Sequence, residues 1–416
     1  MKKVLILTVA VVIFFISLKN IFCFQVNPDE KDPIVQYNIG MMYYNGEEID
    51  PNYQEAYKWF KKSALQGNPN AQYEVGGFHA SGTGDIRQSD EEAVKWYKKA
   101  AVQEQNSAQF YLGEMYENGV GVKKDAKEAL KWYQKSAQNA NVDAQYKMGE
   151  LYYNGRIVEK NIEEAVKWYK KASEQNDRRA QYCLGKMYKR GEGVDQNIEK
   201  ARELFKESAE SGYDKAQIEL GEYYYNNKNY KSSFNWYNRA AKQGNSYAEY
   251  VLGLMYYYGD LGYKNYPAAL EYFRQASVSD NKEAIYMLGV VYYEGLNTAQ
   301  NYPLAFEYFK EAATTNNDKE AQYMIGIMYS NGEGVAQDTD EAKKWFKLAA
   351  DQNHEASIEK LKSLSIDEIK DNDIAISTST TVRESIILST DTAKNIVNST
   401  STVMINGIIA NTQIIK

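Results

Sequence analysis

Ala144-Gln145-Tyr146-Lys147-Met148-Gly149-Glu150-Leu151-Tyr152 places Ala144, Met148, Leu151 and Tyr152 at i, i+4, i+7 and i+8, one face of an α-helix. Downstream, Ala165-Val166-Lys167-Trp168-Tyr169-Lys170-Lys171-Ala172-Ser173 aligns Ala165, Trp168, Tyr169, Ala172 and Ser173 in the same way. Two short amphipathic helices joined by a turn cannot bury their apolar faces alone. A glycine at the centre of the first costs ~1 kcal/mol against alanine. A compensating close contact is therefore expected at Gly149, with the backbone of a neighbouring helix as the natural occupant.

The same glycine recurs at Gly40, Gly76, Gly113, Gly185, Gly221, Gly253, Gly289 and Gly326, at steps of 36 or 37 residues except for one step of 32. A second series keeps pace with it: Trp59, Trp96, Trp132, Trp168, Leu204, Trp236, Tyr272, Tyr308 and Trp345. Nine copies at near-constant spacing define a tandem repeat. The 37 tyrosines, against 13 Phe and 6 Trp, follow from it, because one aromatic packing role is used over and over.

Helix starts are equally regular. Asn52, Ser89, Asp125, Asn161, Asn197, Asn229, Asn265, Asn301 and Asp338 stand four residues before the alanine of each second helix. All are good N-cap types. Glu55, Glu92, Glu128, Glu164 and Glu341 follow three residues later, placed to complete capping boxes. First helices are expected to be capped by Asp32, Asn68, Asn141, Asp177, Asn245, Asn281, Asp318 and Asn353, with Pro33 and Pro69 at N1. Glycine-rich turns such as Asn118-Gly119-Val120-Gly121-Val122 separate the helices. They lack the Lys-Ser/Thr pair of a phosphate-binding loop and read as helix C-caps whose valine folds back onto the pair.

These features predict an all-α fold, a right-handed α/α solenoid of about nine helix-turn-helix repeats over residues 25–364, with residues 354–364 as a capping helix. The missing four residues near Asn226-Asn227-Lys228-Asn229 predict a short turn in the sixth repeat.

The pattern A-x-Y-x-L-G-x-x-Y-x-x-G-x-G-V, a capped turn, then A-x-x-W-Y-x-K-A-A resembles the Sel-one-like repeat, a relative of the tetratricopeptide repeat. The third, fourth and ninth repeats match it best, and the resemblance covers about residues 34–364. It implies an adaptor in a multiprotein assembly. One secreted branch of the family staples each repeat with a cysteine pair; this chain lacks those cysteines.

Outside the repeats, Met1-Lys2-Lys3 and the apolar run Val4–Leu18 read as a secretory signal, with an N-terminal anchor over residues 1–24 as the alternative. A secreted or periplasmic location is expected, and membrane contact only through an uncleaved 1–24 segment. Residues 365–416 form a Ser/Thr/Ile-rich tail that breaks the period, disordered or amphipathic in character.

The net charge of −7 gives no general attraction to nucleic acid, so no nucleic-acid partner is expected. The two histidines and Cys183 show no metal-ligand spacing, no catalytic signature occurs, and no cofactor is expected. His79 replaces a tyrosine found in the other eight repeats and reads as a packing substitute; His354 is expected at the surface. A secreted hydrolase is the least favoured reading.

Recognition of a protein or peptide is favoured instead, on two first-helix positions beside the core face. Two before each glycine stand Asn38, Glu74, Tyr111, Lys147, Cys183, Glu219, Val251, Met287 and Met324. One after it stand Met41, Gly77, Glu114, Glu150, Lys186, Glu222, Leu254, Val290 and Ile327. Val251, Leu254, Met287, Val290, Met324 and Ile327 are apolar throughout and form the candidate partner-binding stripe, if exposed; burial between repeats is the competing reading.

Overall fold

The computed structural model describes residues 27–46, 50–279, 281–296 and 299–370, with side chains as far as residue 364. Among them are 19 α-helices and no strand. The pairs are α1 (Pro33–Asn45) with α2 (Tyr53–Leu65), α3 (Pro69–Ser81) with α4 (Asp90–Ala101), and α5 (Asn106–Asn118) with α6 (Ala126–Gln138). Next come α7 (Val142–Asn154) with α8 (Ile162–Glu174), α9 (Arg178–Arg190) with α10 (Ile198–Glu210), and α11 (Asp214–Asn226) with α12 (Tyr230–Ala241). The last are α13 (Ser246–Tyr258) with α14 (Tyr266–Val278), α15 (Lys282–Glu294) with α16 (Tyr302–Thr315), and α17 (Lys319–Asn331) with α18 (Thr339–Ala350). A final helix, α19 (Glu355–Lys370), follows and outruns the expected end of the capping helix. The expected signal segment and the tail beyond residue 370 lie outside the described residues. The chain divides into two compact units, residues 1–279 and 280–416.

In the first unit the hydrophobic clusters do not follow the sequence repeat. Ala56, Phe60 and Ala64 of α2 pack with Ala71, Val75 and Phe78 of α3, and the cluster is closed by Trp96 from α4. The next joins Val94, Tyr97 and Ala101 of α4 to Ala108, Leu112 and Met115 of α5, closed by Trp132. Each core is thus built by the second helix of one repeat and the first helix of the next. The tryptophan series supplies the closing side chain. A cation three residues on lies over several of these indoles, as with Lys62 over Trp59 at 4.1 Å and Lys99 over Trp96 at 4.0 Å.

Polar groups bind the same junctions. Buried Gln72, Gln109, Gln145 and Gln217 donate to the carbonyls of Ala64, Ala101, Ala137 and Ala209, each in the preceding second helix, at 3.0–3.1 Å. Within each pair, Ser63, Ser136 and Ser208 of the second helices donate to the Pro33, Asn106 and Arg178 carbonyls of their own first helices at 2.5–2.6 Å. A buried amide left without partners would be costly, so these bonds fix the register of neighbouring helices.

The repeated glycine has a different occupant from the one expected. A Cβ on Gly149 would stand 2.6 Å from the Tyr169 ring, and one on Gly113 2.7 Å from the Tyr133 ring. The close approach is by an aromatic face from the partner helix of the same pair, where a neighbouring backbone was expected. The residue after each tryptophan-series position supplies it, and these rings are among the most buried in the chain.

All nine second-helix caps accept a backbone N–H as expected, for example Asn161 from Glu164 at 2.9 Å. The reciprocal half of the capping box is not used. The cap's own N–H already donates to the first helix, Asn161 to Tyr152 O and Asp125 to Tyr116 O at 2.9 Å. Glu164, Glu128 and Glu92 instead pair with Lys167, Lys131 and Lys95. Of the two first helices for which the sequence named no cap, α5 is capped by Gln105, and at α11 Tyr213 makes no side-chain cap. One expectation for first helices changes: at α19 the cap is His354 rather than Asn353. Asn353 takes a left-handed φ of 60° in the preceding turn. The sixth repeat joins α11 to α12 through Asn227, Lys228 and Asn229 alone, the short turn that its length predicts.

The second unit repeats the pattern in α15 to α18. Phe309 and Phe346 cover Gly289 and Gly326 at 2.6 Å, and Gln352 donates to Gln322 at 2.8 Å.

Candidate interaction surface

The histidines come first, because catalysis would need them. His79 stacks edge-on against Tyr57 at 5.8 Å, with Nε2 3.2 Å from the Tyr57 hydroxyl and Nδ1 3.4 Å from Arg87 O. No carboxylate bonds to its ring, so the geometry is that of a packing substitute for tyrosine.

His354 is buried at 8 % exposure, contrary to the surface position expected of it. Its Nδ1 accepts the Ser357 N–H at 3.2 Å, and the ring lies 4.8 Å from Tyr323. Burial, and then the charge of Lys319, lower its pKa to about 4. Cys183 is half-buried beside Tyr169 and Tyr146, and burial pushes its thiol up to about 11, away from the reactive thiolate. Among the described residues no three His, Cys, Asp or Glu side chains gather as a metal site, and no helix is long and apolar enough to span a membrane.

Within each unit the positions two before and one after the glycine are mostly half-buried on the first helices, with Asn38 and Tyr111 exposed. In the first unit, Val251 and Leu254 are half-buried on α13. In the second, Val290, Met324 and Ile327 are half-buried, but Met287 is only 4 % exposed. The exposed stripe is corrected at that residue. Met287 lies between Ala284 and Val291 at i−3 and i+4, and the buried face of α15 is wide enough to include it.

At the other repeats these positions are mostly charged, with Glu74, Glu114, Glu150, Glu219 and Glu222 beside Lys147 and Lys186. Most of the acids are engaged. Glu150 accepts from Tyr146 at 3.0 Å, Glu219 pairs with Lys189 at 2.7 Å, and Glu222 accepts from Tyr247 at 3.4 Å. Burial raises the Glu222 carboxyl to about 7. Glu74 is raised to about 7 by burial alone, and Glu114 is raised by the same cause despite the opposing charge of Lys147.

Tandem helix pairs, ring-covered glycines and shared junction cores define an α-solenoid repeat protein. The Sel1 repeat profile matches residues 33–68, 69–103, 106–141, 142–177, 178–213, 214–245, 246–277, 282–317 and 319–354, and the chain belongs to the Sel1 repeat family. It is similar to a protective antigen of uropathogenic Escherichia coli that displays an SLR fold, at 33 % identity and a TM-score of 0.69, over 80 % of this chain and 72 % of that one. A Sel1 repeat protein from Oxalobacter formigenes shares 28 % identity over 81 % of this chain and 87 % of its own, with a TM-score of 0.37. No curated protein matches. Sel1-repeat proteins are in general non-catalytic and bind protein partners.

Proposed function

We propose that this chain is a non-catalytic scaffold that holds a protein or peptide partner along the half-buried line of its first helices. One observation carries the reading. The glycine, the ring over it and the junction alanines stay constant from repeat to repeat, while the adjacent outer positions change from mostly charged to apolar. Side chains released from packing are the ones available for recognition. In the second unit Val290, Met324 and Ile327 offer an adaptable apolar surface, and in the first Val251 and Leu254 do so.

The basic, then apolar, N-terminal segment supports export, which places the partner in a secreted or periplasmic setting; retention of residues 1–24 would make the same scaffold membrane-tethered. Sequencing the N-terminus of the mature protein separates the two. For the binding face, the full-length Val290→Asp/Ile327→Asp variant should keep its helical circular dichroism and lose at least tenfold in partner retention during affinity capture. Retention equal to wild type would remove these residues from the interface. Collapse of the helical signal would assign them to the core.

A further inference from the structure

The junction of the second and third repeats adds an exposed tyrosine, Tyr111, to the core-packed rings of Tyr73 and Tyr97. Tyr73 of α3, Tyr97 of α4 and Tyr111 of α5 form a triangle with ring centroids 5.8, 6.0 and 5.9 Å apart. Tyr97 is a core residue, lying under Gly76, yet its hydroxyl reaches the outer line. It does so because the next position is Gly77, where an added Cβ would have only the Tyr97 hydroxyl near it, at 3.7 Å. In every other repeat that position bears a side chain, from Met41 to Ile327. Gly77 therefore leaves a notch floored by a phenol, with Tyr111 at its rim, 41 % exposed.

Glu74, Tyr111 and Glu114 all lie close enough to the Tyr97 phenol to disfavour its ionisation, and Glu74 acts in the same way on Tyr37 and Tyr73. Neither Glu74 nor Glu114 has a hydrogen bond or ion pair among the described residues, although their neighbours Glu117, Glu150, Glu219 and Glu222 all do. The notch offers phenol oxygens, aromatic faces and carboxylates; the cation that acts on Glu114, Lys147, is itself paired with Glu117 at 2.9 Å. An ammonium or guanidinium group complements all three features.

We propose that the Gly77 notch, walled by Tyr73, Tyr97 and Tyr111 and charged by Glu74 and Glu114, receives a lysine or arginine side chain from an extended segment of the partner protein. This rests on the scaffold reading above and specifies the chemistry of its partner. The cation replaces the missing counter-charge of Glu74, and the tyrosine faces hold its aliphatic stem. Binding requires the ionised carboxylate. Glu74 acts on Tyr37 of α1, Tyr73 of its own helix and Tyr97 of α4, and Tyr97 is flanked in turn by Tyr111 and Glu114 on α5, with Lys147 beyond Glu114. Burial raises the Tyr37, Tyr73 and Tyr97 phenols above their ordinary value, so the affinity should follow Glu74, which loses its proton near 7.

The test is fluorescence anisotropy of the full-length protein with labelled Ser-Gly-Ser-Gly-Lys-Gly-Ser-Gly-Ser, and with versions bearing Arg or Gln at the centre. The Lys and Arg peptides should bind and the Gln peptide should not. Affinity should rise about tenfold from about pH 6 to about pH 8, as Glu74 ionises. Glu74→Gln should weaken binding at least tenfold and flatten that pH profile. Gly77→Met, which carries the residue found at the same place in the first repeat, should fill the notch with the same loss while keeping the helical signal. Equal binding of the Lys and Gln peptides, or wild-type affinity in both variants, would overturn the assignment. Competition by tetramethylammonium at the affinity of the Lys peptide would also overturn it, in favour of a small quaternary amine. Partner capture distinguishes the two levels: an unchanged yield with Gly77→Met removes the notch and leaves the scaffold, whereas no partner retained by any variant removes the scaffold.

Discussion

His354 shows how one side chain can couple the end of an array to pH. Its Nδ1 accepts the Ser357 N–H, which only the unprotonated ring can do. The folded pKa, about 4, lies below the ordinary histidine value of 6.5. The unfolded chain therefore takes up a proton first as pH falls. The stabilisation is fully present above about 6.5 and is lost as pH falls toward 4. His354→Asn should keep the cap and abolish this acid sensitivity in the second unit, and His354→Ala should cost ~1 kcal/mol at neutral pH; denaturant melts at several pH values read both. Glu222 has the opposite sign. Its carboxyl is raised to about 7, so its contribution is present below the ordinary carboxylate range and lost as pH rises through 7. Glu222→Gln should raise Tm near pH 8 by ~2 °C or more and by less near pH 5. Neither residue's role could be taken from residue type alone. Asn353 is the better cap former by type, and only the 36-residue step from the preceding cap, Asp318, points to His354.

At the scale of the helix, the glycines set the spacing of each pair. Gly149→Ala would gain helix propensity of ~1 kcal/mol, but its Cβ would meet the Tyr169 ring at 2.6 Å. The ring is fully enclosed and cannot yield, so a net loss of ~1–3 kcal/mol is expected, measurable by denaturant unfolding. A stabilised Gly149→Ala would mean the ring moves freely. Helix limits, caps and turns were legible in the sequence because their signals are local: an Asn before an amphipathic run, a glycine after it. The occupant above Gly149 was not, because it is set by how two helices cross. The unused capping boxes have a similar cause. The cap N–H is taken by a carbonyl of another helix, such as Tyr152 O, which no four-residue motif records. The partner-binding stripe was legible only as a register. Which members face outward depends on how wide a face each helix buries, and α15 buries enough to take in Met287.

At the scale of the whole chain, seven repeats fall in the first unit and two in the second, each unit bound by junctions between neighbours. Within the first, damage should stay local. Trp132→Ala removes the closing side chain of the α4–α5 cluster, for a loss of ~3–5 kcal/mol there. Hydrogen exchange should accelerate across residues 90–138 and little across 230–258. Uniform acceleration would show instead that the unit unfolds in one step. The net charge of −7 and the unpartnered Glu74 together predict that partner retention weakens as salt rises.

The offset between packing module and sequence module governs how such a protein changes length. In the first unit a hydrophobic seam begins in one copy and ends in the next. Removing a stretch of one full period therefore rejoins matching half-seams, whichever residue the cut begins on. Removing a single helix leaves two unlike half-seams face to face. Growth and shrinkage by whole periods are the moves this architecture tolerates, and each alters the reach of the molecule without redesigning any joint.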